Sequence, residues 1–203
     1  MDKIILIGAG GHARACIDVI ELNNRYKIAG LVDNYVPESE RCLGYPIIGT
    51  DEDLQDLRKE FKYCLISIGQ IKSAAKRLQL YNILKDLEYR FPLIISPRSY
   101  VSPRSKIGAG TIIMHDVIVN ANAKVGENCI INNRSLIEHD AIIGDHCHIA
   151  TGAVINGEVS VGNETFIGSS AVTKQCISIG NNCVVGAGII LKSDVRSNQV
   201  IKN

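Results

Sequence analysis

The sequence predicts two architectures in one chain of 203 residues, a small α/β domain followed by a coiled parallel β-solenoid. Three observations carry this expectation. From Val101 to Leu191 every sixth residue is aliphatic, with one exception. Strand and helix signals alternate before that stretch. Pro92, Pro97 and Pro103 punctuate the change of texture between the two. The expected boundaries are an α/β domain over 1–92 and a solenoid with a short C-terminal tail over 93–203.

In the first domain, Lys3 to Ile7 is a short apolar run that reads as a strand, and His12 to Leu22 has helical spacing. Ile28 to Asp33 reads as a second strand. Asp51 to Glu60 suits a helix with acidic residues in its first turn, where they meet the positive end of the helix dipole. Tyr63 to Ile68 reads as a third strand, ended by Gly69. Apolar residues at Ile71, Ala74, Ala75, Leu78, Tyr81 and Leu84 form a helical stripe and predict a helix over 71–87. Alternating strands and helices of this length imply a small parallel sheet, half of a dinucleotide fold.

The repeating series reads Val101, Ile107, Ile113, Val119, Val125, Ile131, Ile137, Ile143, Ile149, Ile155, Val161, Ile167, Thr173, Ile179, Val185 and Leu191. Only Thr173 breaks the aliphatic rule, and no insertion breaks the register. Four residues after each member sits a mostly small residue, among them Ser105, Ala123, Cys129, Cys147, Ala153 and Cys183. Strand side chains alternate faces, so both sets point inward. One flat side takes six residues, and three sides make an eighteen-residue coil. Sixteen hexads give just over five coils stacked ~4.8 Å apart. Glycines such as Gly108, Gly126, Gly144 and Gly162 follow the aliphatic residue and suit the corners. Solenoid ends need covering, and the α/β domain is expected to cover one of them.

Composition limits the function. Twenty-two basic and twenty-one acidic residues leave a net charge of +1, so nothing in the bulk charge points to nucleic acid or a membrane surface. No apolar run approaches the ~18 residues of a spanning helix. The start, MDKIILIGAGGHAR, lacks the basic opening and long apolar core of a signal peptide, and the expected location is cytoplasmic. The seven cysteines are odd in number and contain no C-x-x-C pair, which indicates neither a disulfide framework nor a zinc ribbon. Cys129 and Cys147, eighteen apart, read as stacked core fillers.

Two segments carry chemistry. The turn GAGGHAR follows the first strand and opens a helix, so Gly8, Gly10 and Gly11 let the backbone approach a phosphate at a helix N-terminus. It is not a G-x-G-x-x-G run, and a half-fold of this size suits one nucleotide diphosphate better than a nicotinamide dinucleotide. Asp33 ends the second strand, where an acid meets a hydroxyl or an amine. The second segment is NNRSLIEHD. His139 lies two after Ile137 on an outward face, and a near-neutral imidazole suits proton removal from an attacking amine. Asp140 beside it is placed to orient the ring. Gly157 comes eighteen residues after His139, so one coil of ~5 Å separates them. His148 is half a coil away and cannot stack on either. His115 and His146 read as surface residues. The twenty-four residues between His115 and His139 are not a whole number of coils, which speaks against a zinc site of converging histidines.

Hexads such as IGAGTI and VGAGII, joined to an N-terminal GAGGH turn, resemble the left-handed β-helix hexapeptide-repeat acetyltransferases. The resemblance is to the branch that contains nucleotide-4-amino-sugar N-acetyltransferases and sialic acid O-acetyltransferases, and it covers nearly the whole chain. It implies a left-handed coil, a homotrimer with active sites between subunits, and acetyl-CoA as co-substrate without a metal. His139 then matches the general base of the IEH motif and Asp140 its acidic partner. Gly157 matches the position whose N–H faces the thioester, an oxyanion donor. His148 matches an active-site histidine at the acetyl-CoA end, and Asn132 another active-site position. His12, Asp33 and the Ile68–Gly69 turn match the nucleotide-sugar site. Asn34 stands where some relatives carry a second acid, so the sugar or base preference is open. Gly168, Gly186 and Ala187 in the late coils match the cradle of the pantetheine arm, although the tail SNQVIKN departs from the usual G-x-P-A-K-like ending.

The implied reaction is acetylation of the 4-amine of a UDP- or dTDP-linked 4-amino-4,6-dideoxy sugar for a bacterial surface glycan or glycoprotein. The alternative acceptor is sialic acid or a related nonulosonic acid, which RSLIEH and VSVGNETFIGS also resemble. A non-catalytic binding solenoid predicts regular outward arrays such as threonine ladders, which this chain lacks.

Overall fold

The computed structural model describes residues 1–37 and 39–202. The first domain runs β1 (Asp2–Ile7), α1 (Gly11–Asn23), β2 (Tyr26–Val32), β3 (Arg41–Cys42), β4 (Tyr45–Gly49), α2 (Leu54–Glu60), β5 (Tyr63–Ile66) and α3 (Ala75–Asp86). Its sheet has the order β3-β4-β2-β1-β5, parallel except for the β3–β4 pair. That small hairpin has no signal in the apolar pattern and is not foreseen from it. β1 lies centrally and is covered on both sides, which is why its apolar run is continuous. Ile4 and Leu6 pack with α1, while Ile5 and Ile7 pack with Leu54, Leu80 and Leu84 from the other side.

Two helices differ from expectation. The predicted 51–60 helix begins with a 3₁₀ turn over Asp51–Asp53, closed by the Thr50–Asp53 capping box. The predicted 71–87 helix starts only at Ala75, whose N–H donates to Ser73 Oγ at 3.1 Å. Ile71 is exposed, and the inward row is Arg77, Leu80, Tyr81 and Leu84. The arginine row was missed because a cation on a helix ordinarily faces water.

From Ile94 onward the chain is a three-faced β-helix of two-residue strands. One face stacks seven strands, from Ile94–Ile95 to Val200–Ile201; a second stacks six, from Tyr100–Val101 to Ile190–Leu191; a third stacks five, from Lys106–Ile107 to Ser178–Ile179. Partners along each face are eighteen residues apart, as in Ile118↔Leu136 and Lys124↔Ile142, except in the last pair of the seven-stranded face, Val184↔Val200, where the tail closes the coil with two residues fewer. The hexad series fills the core of the coil. The small inward residues have a second task beyond filling space. Thr111, Cys129, Cys147 and Thr165 occupy one column, and each donates to a backbone carbonyl fifteen residues on, at 2.8 to 3.1 Å. Threonine and cysteine interchange there because both are small and both carry a donor.

The α/β domain covers a side of the coil and not its end. Ile94, Ile112, Met114 and Ile130 share one cluster with Ile4, Leu6, Ala13, Ile17 and Ile20. His115, expected at the surface, ties this junction. Its ring nitrogens bond Asp18 and Ser96 Oγ, both at 2.7 Å.

Candidate active site

A cavity of about 330 Å³ opens at the C-terminal ends of β1, β2 and β5. Gly8, Gly10, Gly11, His12, Asp33, Asn34 and Gly69 line it, together with Lys76, Asp51 and Tyr35. The glycine turn is required by close packing. Gly8 has φ +108°, and a Cβ there would lie 2.5 Å from Ile68 Cγ1. Gly10 caps α1 without a side-chain bond, and the Gly11 and His12 amides of the first turn have no partner among the described residues beside the cavity they line, the arrangement of a helix N-terminal anion site. Asp33 has a different immediate task from the one expected. Its carboxylate accepts the N–H of Ala9 at 2.7 Å, Tyr35 at 2.8 Å and Val36 at 3.1 Å. It holds the glycine turn against the end of β2.

Asn34 is likewise committed. Its Nδ2 donates to Asp51 Oδ2 at 2.9 Å, and its Oδ1 accepts the Asp51 N–H at 2.8 Å. Lys76 Nζ meets the same Asp51 oxygen at 2.9 Å. Lys76 and Asp51 were not singled out in the sequence, because neither belongs to a motif; the fold brings them to the rim from the first turn of α3 and the 3₁₀ turn before α2.

Beneath the cavity the two domains meet over a polar seam. Arg77, only 2% exposed, donates to the carbonyls of Ile66 (2.9 Å), Ile68 (2.7 Å) and Asn128 (2.9 Å) and to Asn128 Oδ1 (2.7 Å). It has no carboxylate partner among the described residues, and burial lowers its pKa to about 10. His148 Nδ1 donates to the Gln70 carbonyl at 2.6 Å, leaving Nε2 to accept from Asn132 Nδ2 at 3.2 Å. The His12 and His148 rings lie 6.4 Å apart. Burial, with the Arg77 charge nearby, pushes His12 down to about 3; burial, against the bond to the Gln70 carbonyl and with Arg77 adding to it, holds His148 at about 4. Both rings are therefore neutral at physiological pH. The buried side-chain atoms without a partner among the described residues are His12 Nε2, Gln70 Oε1 and Arg77 Nε, all at this seam. Buried polar atoms are ordinarily paired; of these three residues His12 also lines the cavity.

His148 was expected at the acetyl-CoA end. It is 7% exposed, bonded on both ring nitrogens and placed beside His12. His146 is also not a free surface residue. It is half-buried, bonds Asn128 Nδ2 at 3.0 Å and packs edge-on against Tyr81.

The second site lies at the corner between the six-stranded and five-stranded faces. His139 Nδ1 bonds Asp140 Oδ2 at 2.9 Å, and this bond raises the histidine pKa above its ordinary value. Asp140 is held in turn by Asn122 Nδ2, which with His139 keeps its carboxyl below the usual range. Its φ of +59° is a property of the corner, shared with Asn122 and Glu158 on neighbouring coils. Gly157 lies directly over the ring: a Cβ there would sit 2.8 Å from both Cε1 and Nε2 of His139. The Gly157 N–H and His139 Nε2 have no hydrogen-bond partner among the described residues. A free imidazole nitrogen and an unpaired backbone amide thus lie on neighbouring coils of one exposed corner. The fold brings His139, Asp140 and Gly157 together and keeps them on a different edge of the coil from His148.

Gly168 lies one coil below Gly186 and Ala187; a Cβ on Gly168 would meet the Ala187 nitrogen at 2.6 Å. This column of three forms a smooth corner near the end of the coil. Among the described residues no three His, Cys, Asp or Glu side chains group as metal ligands do. No helix among them is long and apolar enough to cross a membrane.

The comparisons with known proteins follow these two sites. The PglD N-terminal domain matches residues 3–84. The bacterial transferase hexapeptide matches 104–139 and 122–157, and the hexapeptide repeat of succinyl-transferase matches 158–193. No curated protein matches the chain. Among solved structures, a histidine-to-alanine variant of GDP-perosamine N-acetyltransferase from Caulobacter crescentus, in complex with CoA and GDP-perosamine, is 28% identical. The match covers 98% of this chain and 93% of that one, with a TM-score of 0.92. The acetyltransferase domain of PglB from Neisseria gonorrhoeae FA1090, in complex with acetyl coenzyme A, is 27% identical over 98% and 94% of the two chains, with a TM-score of 0.90. WeeI from Acinetobacter baumannii AYE, 23% identical over 100% and 98%, shares the fold with a TM-score of 0.88.

Proposed function

The chain belongs to the hexapeptide-repeat acetyltransferases that carry a PglD-type N-terminal domain, and on that footing we propose that it N-acetylates a nucleotide-linked amino sugar with acetyl-CoA. The acceptor we favour is the 4-amine of a UDP- or dTDP-linked 4-amino-4,6-dideoxy sugar used in bacterial surface glycans or glycoproteins. The neutral amine attacks the thioester carbon and His139 Nε2 takes its proton. The Gly157 N–H steadies the oxyanion of the tetrahedral intermediate. The C–S bond then breaks, and His139 returns the proton to the departing sulfur, so charge and protons balance. Asp140 fixes the tautomer that leaves Nε2 free and stabilises the imidazolium between the two steps.

The observation that carries this reading is the His139–Asp140 pair beneath a bare glycine amide, with Nε2 and the N–H both unoccupied. On the acceptor side, the diphosphate rests on the α1 N-terminus, with Lys76 at the rim. Gly168, Gly186 and Ala187 cradle the pantetheine arm along their shared corner. Asn132 and His148 connect that machinery to the acceptor pocket through Gln70.

The working form is a homotrimer. Its support is the outward column of the six-stranded face: Tyr100, Ile118, Leu136, Val154, Val172 and Ile190 are all apolar. The corresponding column of the five-stranded face is Lys106, Lys124, Ile142, Ser160 and Ser178. A continuous apolar strip on a soluble coil calls for a partner, and His139 lies on its border. A neighbouring copy docked there would close the cleft around the thioester.

The deciding measurement is thiol release from acetyl-CoA with UDP-, dTDP- and GDP-linked 4-amino sugars and with free or CMP-linked sialic acid. Turnover confined to the amino sugars is expected. Turnover with sialic acid alone would replace this reading with an O-acetyltransferase.

A further inference from the structure

Thr173 is the one non-aliphatic member of the sixteen-residue inward series, and it is 1% exposed. A hydroxyl in an aliphatic core costs stability unless it is hydrogen-bonded. Here its Oγ1 accepts the backbone N–H of Asn156 at 2.9 Å, and Asn156 Nδ2 donates back to the Thr173 carbonyl.

The rest of the same face uses another pattern. Ser102, Asn120, Glu138 and Lys174 each donate the backbone N–H straight to the carbonyl one coil on: to Val119 at 2.9 Å, Ile137 at 2.9 Å, Ile155 at 2.9 Å and Leu191 at 2.7 Å. Among the described residues of this series, Asn156 alone bonds a side-chain oxygen instead. The strand pairing records the same local departure. Each step on the six-stranded face keeps two paired residues except the step from Val154 to Val172, which keeps one. Asn156 is joined by its peptide to Gly157, and that peptide carries the N–H of the glycine stacked on the His139 ring. The only polar residue in the series thus sits one coil above the only corner that stacks a glycine on the candidate base.

We propose that Thr173 is a positioning residue: its buried hydroxyl draws the Asn156 backbone out of the regular ladder and thereby aims the Gly157 amide over His139. This rests on the reading of Gly157 as the oxyanion donor. A coil without insertions has no spare residue with which to re-aim one corner. Replacing a carbonyl acceptor by a side-chain acceptor changes the backbone path without changing the register. Thr173 touches no reactant and acts through Asn156 and Gly157.

The test compares Thr173→Val, Thr173→Ser and Gly157→Ala in steady-state kinetics with both substrates, alongside thermal melting. Valine keeps the shape and removes the acceptor; serine keeps the acceptor. Loss of an oxyanion donor costs about 10²–10³ in kcat, and a mis-aimed one some part of that, so Thr173→Val is expected to lower kcat about tenfold or more. Both KM values should stay within about twofold and the melting temperature should not fall, because valine suits a strand core. Thr173→Ser should recover most of the lost kcat. If Gly157→Ala keeps wild-type kcat, the oxyanion reading itself fails. If Gly157→Ala is impaired while Thr173→Val turns over normally, the Thr173 inference is overturned and the Gly157 reading stands. Equal losses in the valine and serine variants, or a loss accompanied by a lower melting temperature, would also overturn it.

Discussion

Gly157 and His139 are eighteen residues apart and in van der Waals contact range: a methyl group on the glycine would lie 2.8 Å from Cε1 and Nε2 of the imidazole. No ordinary Cβ tolerates that approach, so the absence of a side chain at 157 is a condition for the ring to lie where it does.

Gly157→Ala should therefore displace the imidazole or lift the coil. Mispositioning a catalytic group by about 1 Å costs about 10² in rate. The expected outcome is a fall in kcat of that order, with nucleotide-sugar binding unchanged by calorimetry, because the acceptor cavity lies in the other domain. A normal kcat would remove Gly157 from the mechanism.

The Asp140 hydrogen bond raises the pKa of His139, and activity of a general base grows as it loses its proton. The acidic limb of kcat/KM should therefore lie above the ordinary histidine value of 6.5. In Asp140→Asn the bond to a carboxylate is gone, so the limb should move to lower pH. The plateau should fall at least about tenfold, since the amide favours the wrong tautomer. Asparagine accepts the positive φ of this corner, which keeps the variant folded. A limb that stays put would show that another group sets it.

His12 and His148 are held neutral in the fold, at about 3 and about 4, against 6.5 in the unfolded chain. The unfolded state therefore binds more protons below pH 6.5. The stability these groups contribute is complete above that value and is lost as pH falls toward 4 and then 3. Urea midpoints measured from pH 7.5 to 5 should drop for the wild type and drop less steeply for His148→Gln. Identical slopes in the two proteins would contradict the burial of a neutral His148.

Val154 lies midway along the apolar column of the six-stranded face. A lysine there places a charge in the proposed subunit contact, so Val154→Lys should sediment as a monomer and lose activity while its far-ultraviolet circular dichroism is preserved. Lys124→Glu on the five-stranded face is the matched control and should remain trimeric. A wild-type protein that sediments as a monomer would end the shared-cleft reading.

Much of the fold was legible because it is local and periodic. The inward series, the eighteen-residue step and the stacking of Gly157 on His139 follow from strand alternation and an unbroken register. The cavity of the first domain was legible where a motif marks it: Gly8, Gly10, Gly11, His12, Asp33, Asn34 and Gly69 line it together. What stayed hidden depends on how distant segments meet. Lys76 and Asp51 belong to no motif. Arg77 belongs to none either, although its spacing to Leu80, Tyr81 and Leu84 is that of the inward row. His115 and His146 looked exposed because the coil alone would leave them so.

By itself the sequence determined the repeat, the coil and the columns in which residues stack, since a period of six with two inward positions leaves the backbone little choice. The tertiary structure decided where the α/β domain sits. It covers a side of the coil through Ile94, Ile112, Met114 and Ile130, and in doing so turns His148, Arg77 and Gln70 into a buried seam beneath the cavity. Such a choice depends on complementary apolar surface between segments far apart in the chain, and surface complementarity leaves no period to read.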